Sequence, residues 1–269
     1  MQGSHKSRII VMLLFCLVVF TGFARAQEDG EAENTGQDFT KPLTRLDLRQ
    51  KYQWLASDKY ASVTTLRADK PFVFGNKWVL STRFDFPFMT TDVASSDNPN
   101  ADNEFGMSDF LAQFMMIAPQ AGKNWTWAYG VQTIWPTASQ DEMGFGRYQI
   151  APLVGAKMDL NFLKKGSFGA LLLREHIDAG GNSSRVKQNY LVIQPILNIS
   201  LPKAFFLNLA PEMRVNWEND NRWFIPFDIM LGKMLNKSTV VSIEYKIPLL
   251  DQNYPIYDHE IEVRVGFFF

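Results

Sequence analysis

The sequence predicts an all-β fold: a transmembrane, antiparallel up-and-down β-barrel of about twelve strands, preceded by a cleaved signal peptide. Three observations support this prediction. An export signal occupies the N-terminus, many later segments alternate between apolar and polar residues, and no stretch after residue 26 is apolar for long enough to form a spanning helix. A membrane protein without such helices must close its sheet, because only closure satisfies every backbone polar group in hydrocarbon.

Residues 1–26 have the organisation of a secretory signal. A positive region precedes an apolar run at 9–20, and the small residues Ala24 and Ala26 fit cleavage before Gln27. The run is too short for a spanning helix, which needs roughly 20 residues. Residues 27–42 are acidic with little to bury, so we predict a disordered periplasmic leader there and the barrel over 43–269.

Composition excludes several classes of site. Cys16, the one cysteine of the chain, lies in the signal, so the mature chain has no disulfide, thiolate metal site or cysteine nucleophile. Loss of Lys6, Arg8 and Arg25 with the signal changes the formal charge from -1 to -4 and leaves no basic patch for nucleic acid. Neither metal-ligand spacing nor a glycine-rich phosphate loop is present, so we predict no metal and no other cofactor.

The chain ends on the clearest strand signal. Apolar residues alternate with Glu260, Glu262, Arg264, Gly266 and Phe268 and therefore occupy the opposite face of a strand. The segment closes on Phe269 and resembles the C-terminal signal of bacterial outer-membrane barrels. That resemblance implies Phe269 as an assembly signal, the barrel-assembly machinery and outer-membrane lipids as partners, and the outer membrane as location.

Alternation and turn residues divide the rest of the barrel into further strands. The predicted twelve are 43–54, 61–74, 76–88, 105–118, 125–136, 146–162, 168–177, 186–200, 204–217, 222–234, 238–248 and 258–269. The connections after the third, fifth, seventh and eleventh strands are long or polar, whereas those between them are shorter. Because outer-membrane barrels have long extracellular loops and short periplasmic turns, this order predicts that both mature termini are periplasmic. The short link 218–221 and Pro71 in the second strand fit the pattern less well.

The tryptophans provide an independent indication of the membrane boundaries. In this layout every tryptophan lies near a strand end, where an apolar ring with a polar N–H favours the membrane interface. The predicted interface girdle comprises Trp54, Trp135, Trp217 and Trp223 at the outer ends and Trp78, Trp125 and Trp127 at the periplasmic ends.

Strand parity predicts which side chains face the lumen. A lysine or arginine on the lipid face would cost about 2–4 kcal/mol at the midplane, so the charged set of each strand points inward. The predicted inward-facing polar residues are Asp109, Gln113, Lys157, Asp159, Glu212, Arg214, Asp228, Glu244 and Lys246. Apolar residues share the inward face (Leu111, Met115, Leu153, Ile196 and Met230), so the wall is amphipathic.

The first and last strands of a barrel must pair, and their charges are complementary. One antiparallel register forms three lumen-facing pairs, Asp47 with Arg264, Arg49 with Glu262 and Lys51 with Glu260, each worth about 0.2–1 kcal/mol. We predict that this charge ladder fixes the closing seam and supplies charge to the lumen. For the ladder, we favour a role in closure and packing alone over a role in binding substrate.

Two glycine-containing elements carry a family resemblance. Phe105-Gly106-Met107-Ser108-Asp109 leads into one alternating strand, and the segment 144–152 (GFGRYQIAP) opens another. Both resemble the family named for the MetA pathway of phenol degradation, although Ser108 stands where a second glycine is expected. The resemblance implies an outer-membrane barrel that helps hydrophobic or aromatic compounds to enter, without established catalytic residues.

These observations favour a channel or facilitator for small, partly hydrophobic solutes and not an enzyme. A lipid-modifying outer-membrane enzyme and a closed structural or adhesive barrel are the alternatives. His176 and His259 lie near Ser183 and Ser184 in the predicted layout, but nothing in the sequence indicates the hydrogen-bonded nucleophile and base that catalysis needs. We therefore predict exposed histidines at the outer rim.

Overall fold

A computed structural model describes residues 34–120, 124–252 and 256–269 of the chain. The predicted signal peptide and residues 27–33 of the predicted leader lie outside these ranges. The described residues contain fourteen strands and two short 3₁₀ helices (Gly75–Lys77 and Asp141–Met143). The strands are β1 (Arg45–Leu55), β2 (Lys59–Val73), β3 (Val79–Thr91), β4 (Glu104–Met107), β5 (Phe110–Ile117), β6 (Trp125–Trp135), β7 (Arg147–Asp159), β8 (Phe168–Gly181), β9 (Tyr190–Ser200), β10 (Phe205–Leu209), β11 (Met213–Asn216), β12 (Arg222–Asn236), β13 (Thr239–Leu250) and β14 (His259–Phe268).

The sheet closes on itself as an antiparallel up-and-down barrel. Strands that are consecutive in the chain pair with each other, apart from β4 with β5 and β10 with β11, and β1 pairs with β14 to complete the ring. β4 and β5 both pair with β3, while β10 and β11 both lie between β9 and β12. Each of these two pairs forms a single interrupted wall element, so fourteen strands make twelve wall positions. The predicted all-β barrel and its strand number are confirmed.

Two strands predicted as continuous are interrupted, each for a local reason. The predicted strand 204–217 breaks around Pro211, which has no N–H to donate and lies at the level of Pro195 in the register of β9. The predicted strand 105–118 is interrupted at Ser108 and Asp109, where the register against β3 shifts by one residue and both side chains bond to the loop 136–146. Pro71, by contrast, lies within an unbroken β2.

The predicted disordered leader is wrong for residues 34–42. This segment lies inside the barrel, with Asp38 and Thr40 buried. Phe39 packs against the apolar cluster of Met115 and its neighbours on the inner wall. An acidic, glycine-containing segment orders here because the lumen supplies the cation and the apolar surface that solvent would not.

The barrel presents apolar side chains outward and polar ones inward. Large exposed apolar residues occur on strands around the ring, among them Leu48, Phe86, Tyr129, Leu171 and Phe227. Many charged side chains are buried on the inner face, as parity predicts. No helix among the described residues is long and apolar enough to cross a membrane.

The two ends of the barrel differ. We call the end where β1 begins and β14 finishes the terminal end. Its described connections are 74–78, 118–120 with 124, 160–167, 201–204 and 237–238. The described connections of the opposite end, the loop end, are 56–58, 92–103, 136–146, 182–189, 217–221 and 251–252 with 256–258. Two apolar clusters fill the lumen towards the terminal end, one around Met115, Leu153 and Leu172, the other around Phe206 and Met234.

Candidate functional site

The lumen contains a chamber of about 640 Å³ between the terminal-end clusters and the loops. Its wall carries charged side chains from opposite sides of the seam and an apolar strip from β5 and β6 that includes Leu111, Met115 and Ile134. The inward polar and charged side chains predicted by parity all line this space at Asp109, Gln113, Glu212, Arg214, Asp228, Glu244 and Lys246. Lys157 and Asp159 lie lower, where Lys157 is 1% exposed.

The closing seam pairs the predicted strands, but the predicted register is wrong by two residues. Asp47 stands opposite Gly266, Arg49 opposite Arg264 and Lys51 opposite Glu262. A shift of two keeps every charged side chain on the lumen face. The side chains then reach diagonally, and two predicted ion pairs form: Arg264 Nε lies 3.1 Å from Asp47 Oδ2, and Arg49 Nε donates to Glu262 Oε1 at 2.7 Å.

The third predicted pair, Lys51 with Glu260, does not form among the described residues. Glu260 instead accepts a hydrogen bond from the Gln53 amide at 2.6 Å and lies 3.0 Å from Lys246 Nζ. Gln53 occupies the position opposite Glu260 in the observed register. The neutral amide thus replaces the lysine that our register had placed there.

Gly266 explains why this register is preferred. A Cβ at position 266 would lie 2.4 Å from the Asp47 carboxylate, so only glycine leaves room for that carboxylate above the strand. Asp47 then lies between Arg264 and Arg45, whose Nε is 3.6 Å from Asp47 Oδ2. The sequence signal for this register was a glycine on the lumen face of the last strand. Our prediction used only the number of charge pairs and therefore missed it.

A second charge array follows on β1 to β3, and our sequence argument missed it. Arg67 forms a two-point contact with Asp85, at 2.7 and 2.6 Å, and Asp69 accepts from Arg45 at 2.5 Å and from Arg83 at 3.0 Å. Arg67 stands directly opposite Asp85, and Asp69 opposite Arg83. The register argument applied to the seam would have found these pairs between the second and third strands.

On the other side of the seam, one lysine serves several carboxylates. Lys246 Nζ lies 3.0 Å from Glu260, 3.4 Å from Glu244 and 3.9 Å from Asp228. Asp228 and Glu244 are both buried. The chamber is therefore rich in arginine along β1 to β3 and rich in carboxylate along β12 to β14.

The segment 34–44 forms the floor of the chamber at the terminal end. Gly36, Gln37 and Phe39 line the chamber from below. Asp38 Oδ2 lies 3.2 Å from the buried Lys157 ammonium, and the Gly36 carbonyl accepts a hydrogen bond from Arg45 at 2.6 Å. Charge and apolar contacts together hold this segment across the lumen.

The loop 136–146 forms part of the roof. Asp109, in the interruption between β4 and β5, accepts hydrogen bonds from the N–H groups of Ala138 at 3.2 Å and Phe145 at 2.7 Å. Met143 at the loop's 3₁₀ helix is 1% exposed and lines the chamber. The loop thus folds inward through contacts that the interrupted strand provides.

Tyr257 is buried at the loop end, directly before β14. Its ring packs edge-on against Phe224 with 5.1 Å between the ring centroids. Burial raises the pKa of the Tyr257 hydroxyl, and the Glu260 carboxylate raises it further, so the phenol stays protonated.

The seven tryptophans of the predicted girdle lie at or beside strand ends. Trp54, Trp135, Trp217 and Trp223 lie towards the loop end, and Trp78, Trp125 and Trp127 towards the terminal end. Their role at a membrane interface stays a prediction. Phe269 is 81% exposed, its N–H bonds to the Thr44 carbonyl at 2.9 Å, and its role as an assembly signal likewise stays a prediction.

The prediction of two exposed rim histidines is wrong for one of them. His176 is 4% exposed and lines the chamber, where its ring stacks on Tyr190 and its Nδ1 lies 3.0 Å from Gln149 Oε1. Parity explains the difference, since His176 precedes the end of β8 on the inward face. His259 is exposed and lies 2.8 Å from the Tyr245 hydroxyl.

The described residues contain neither a serine–histidine hydrogen bond nor a metal-binding group of carboxylates and histidines. Ser184 bonds to Asn182 at 2.8 Å in an exposed turn. No group of three or more histidine, cysteine or acidic residues within the described ranges is arranged to hold a metal ion. The chamber's chemistry is therefore that of ion pairs, amides and apolar surface.

Comparison with known proteins extends the account of the fold. No family model and no curated protein matches the sequence. Solved structures do: an outer membrane channel from Pseudomonas putida F1 superposes with a TM-score of 0.71 at 13% identity, covering 90% of this chain and 100% of that one. KdgM porin in complex with disordered oligogalacturonate gives 0.51 at 13% identity, with coverages of 84% and 99%. Outer membrane phospholipase A from Escherichia coli gives 0.51 at 11% identity, with coverages of 88% and 95%. At such identities the likeness shows the fold: a closed barrel of the outer-membrane type.

Proposed function

We propose that this protein is a channel or facilitator for small solutes in the bacterial outer membrane, with both mature termini in the periplasm. The observation that carries the proposal is the charge-lined chamber within a wall whose outer face is apolar. An apolar exterior fits the hydrocarbon of a membrane, and a charged interior fits a lumen that contains water and polar solutes. The fold shared with an outer membrane channel supports the same proposal.

The chamber forms part of a path along the lumen. Solute would enter through the loop end, past Met143 and Tyr257, and reach the charged middle of the barrel. The floor formed by 34–44 lies across the remaining route to the terminal end. We propose that passage requires this segment to move, because Phe39 and Asp38 occupy space that a solute would need.

The solute class follows from the wall. Apolar residues such as Leu111 and Ile134 share the chamber with charged groups, so the lining suits molecules with both characters. The resemblance to the family of the MetA pathway of phenol degradation adds small aromatic compounds to this class.

Liposome swelling tests the proposal. Proteoliposomes that contain the mature chain should swell in isotonic solutions of small solutes and not of large oligosaccharides, at a rate that increases when residues 34–42 are deleted. A matched deletion of residues 27–33 is the control for shortening the N-terminus. Absence of swelling by both the intact and the 34–42-deleted protein would contradict the channel and favour the structural or adhesive barrel.

We propose no enzymatic activity. In support, His259 bonds to Tyr245 and His176 to Gln149, and neither histidine bonds to a serine hydroxyl in the part of the chain that the structure describes. Phospholipid hydrolysis by the purified protein should be absent. Hydrolysis that disappears in His259→Ala would instead establish the lipid-modifying alternative.

A further inference from the structure

One cation of the chamber stands apart from the others. The remaining lysines and arginines of the lining each form an ion pair: Arg45 and Arg83 with Asp69, Arg49 with Glu262, Arg67 with Asp85, Arg174 and Arg214 with Glu212, Lys246 with Glu260, and Arg264 with Asp47. Lys51 also lines the chamber but forms no ion pair within the described ranges.

The two carboxylates nearest to Lys51 in the seam are already engaged. Glu262 stands directly opposite Lys51, but its carboxylate receives the Arg49 guanidinium at 2.7 Å. Glu260 receives Gln53 at 2.6 Å and Lys246 at 3.0 Å. Arg49 and Lys246 lie within ion-pairing distance of these carboxylates, whereas Lys51 interacts with Glu260 only by Coulomb attraction over a longer distance. The Lys51 ammonium therefore retains its capacity to donate hydrogen bonds to an anion in the chamber.

An apolar row begins directly beside Lys51. Val63 stands opposite Lys51 on β2, and Met89 stands opposite Val63 on β3; both line the chamber. The next position is Gly106, which Ser139 Oγ and Met143 Sδ cover together: a Cβ there would meet Ser139 first and would lie 2.7 Å from Met143 Sδ. The Met143 thioether continues the apolar row. Methionine side chains adapt readily to apolar ligands of different shape.

The length of the row limits the size of a ligand. Neighbouring strands lie roughly 4.8 Å apart, so β1 to β3 spans about 10 Å along the wall. This span accommodates one charged head at Lys51 and an apolar chain of about six carbons across Val63 and Met89. A cation of the same shape would meet the ammonium of Lys51, and a polar anion would gain nothing from the row.

We infer that Lys51, Val63, Met89 and Met143 form a binding site for small amphipathic monoanions, carboxylates with a short apolar body. The site lies in the loop-end half of the chamber, where a solute would arrive first. The inference rests on the proposed channel function for its role in transport, since the site would concentrate such carboxylates in the lumen. The inference specifies that the ligand is negatively charged, which the amphipathic character of the wall does not determine.

Hexanoate, acetate and hexylammonium are the probes for this site, and block of the KCl current through single channels in planar bilayers is the measurement. Hexanoate should block at a concentration at least about tenfold below that of acetate, since four additional methylenes reach the apolar row. Hexylammonium should not block in this range. Equal block by hexylammonium would overturn the inference, because the chamber would then not select for a negative head: either the apolar body alone is bound, or the carboxylates of β12 to β14 bind a cation equally well.

Variants separate the head from the body of the ligand. Lys51→Gln should raise the half-blocking concentration of hexanoate about tenfold, as expected for the loss of one charge-assisted hydrogen bond. Lys51→Arg should keep it within about twofold, and the exposed loop variant Lys187→Gln should leave it unchanged. Met89→Gln should weaken block by hexanoate but not by acetate.

Hexanoate block that is unchanged in Lys51→Gln would overturn the assignment of the anion to this lysine.

Failure of the proposed binding site is distinguishable from failure of the proposed channel function. If the wild-type protein carries no current, calorimetric titration of hexanoate into the detergent-solubilised protein measures the site directly. Binding that Lys51→Gln abolishes would then support the site and contradict the channel, and no binding would contradict the site. Heat-modifiable mobility in gels confirms that each variant has folded.

Discussion

Asp47 is the charged residue that joins the two ends of the barrel wall. It is fully buried, lies between Arg264 and Arg45, and stands above Gly266. Removal of one partner from a buried ion pair costs more than the pair contributes, because the remaining charge keeps its desolvation penalty. Asp47 therefore matters to closure because its removal would leave a buried arginine without a carboxylate partner.

Asp47→Asn should lower the free energy of unfolding by about 3–5 kcal/mol, since the buried Arg264 loses its carboxylate partner while Arg45 keeps only Asp69. Urea titration followed by heat-modifiable gel mobility measures this change. The control is Asp220→Asn at a surface pair with Arg222, where the Asp220 side chain is 89% exposed, and we expect a change within about 0.5 kcal/mol there. Similar small effects at both positions would contradict the seam's role.

Gly266→Ala should also destabilise the barrel, by about 1–3 kcal/mol, because its Cβ would displace the Asp47 carboxylate. Gly75→Ala is the matched control, since a Cβ there meets nothing within 4 Å. The same urea titration compares them. An unfolding midpoint for Gly266→Ala that equals that of Gly75→Ala would show that the register does not depend on this glycine.

At the scale of single residues, the face of the strand on which each side chain lies was predictable from the sequence, but its partner on the neighbouring strand was not. The alternation of Glu260, Glu262 and Arg264 placed each charge on the correct face, because a strand offers only two faces. Register depends on close contacts along the strand, and the room above Gly266 outweighs one additional charge pair. The buried stack of His176 on Tyr190 was missed because the inward parity of β8 was not extended to His176, which we had placed at the exposed outer rim.

At the scale of elements, interruption and insertion shape the chamber. The break at Ser108 and Asp109 turns a carboxylate towards the loop 136–146, and this loop brings Met143 into the chamber. The segment 34–44 enters from the other side. Strand position was predictable from alternation, whereas these inward folds depend on contacts with the completed barrel and have no local sequence period.

Asp109→Ala should release the loop 136–146 while leaving the barrel folded, because two backbone N–H groups of that loop lose their acceptor. Limited proteolysis of the folded protein should cleave within 136–146 at least several-fold faster than in the wild type. Asp102→Ala, at an exposed position of the neighbouring loop 92–103, is the control. Equal cleavage rates in the Asp109 variant and the wild type would refute this role of the carboxylate.

At the scale of the whole molecule, the protein reverses the usual arrangement of a soluble domain. Apolar side chains cover the outside, ion pairs fill the inside, and closure of the sheet leaves no free edge. The twelve-position barrel followed from this reversal, which the sequence records as alternation. The floor did not, because an acidic segment reads as solvent-exposed until the Lys157 ammonium and the apolar cluster near Phe39 are in place.

The most direct test of the account is the single-channel conductance of the mature chain in planar bilayers, with and without residues 34–42. We expect a small conductance for the intact chain and a several-fold larger one after the deletion, because the floor lies across the lumen between the chamber and the terminal end. Deletion of 27–33 should leave the conductance unchanged. Equal conductance before and after removal of 34–42, or no current from either protein, would contradict a solute pathway through the chamber.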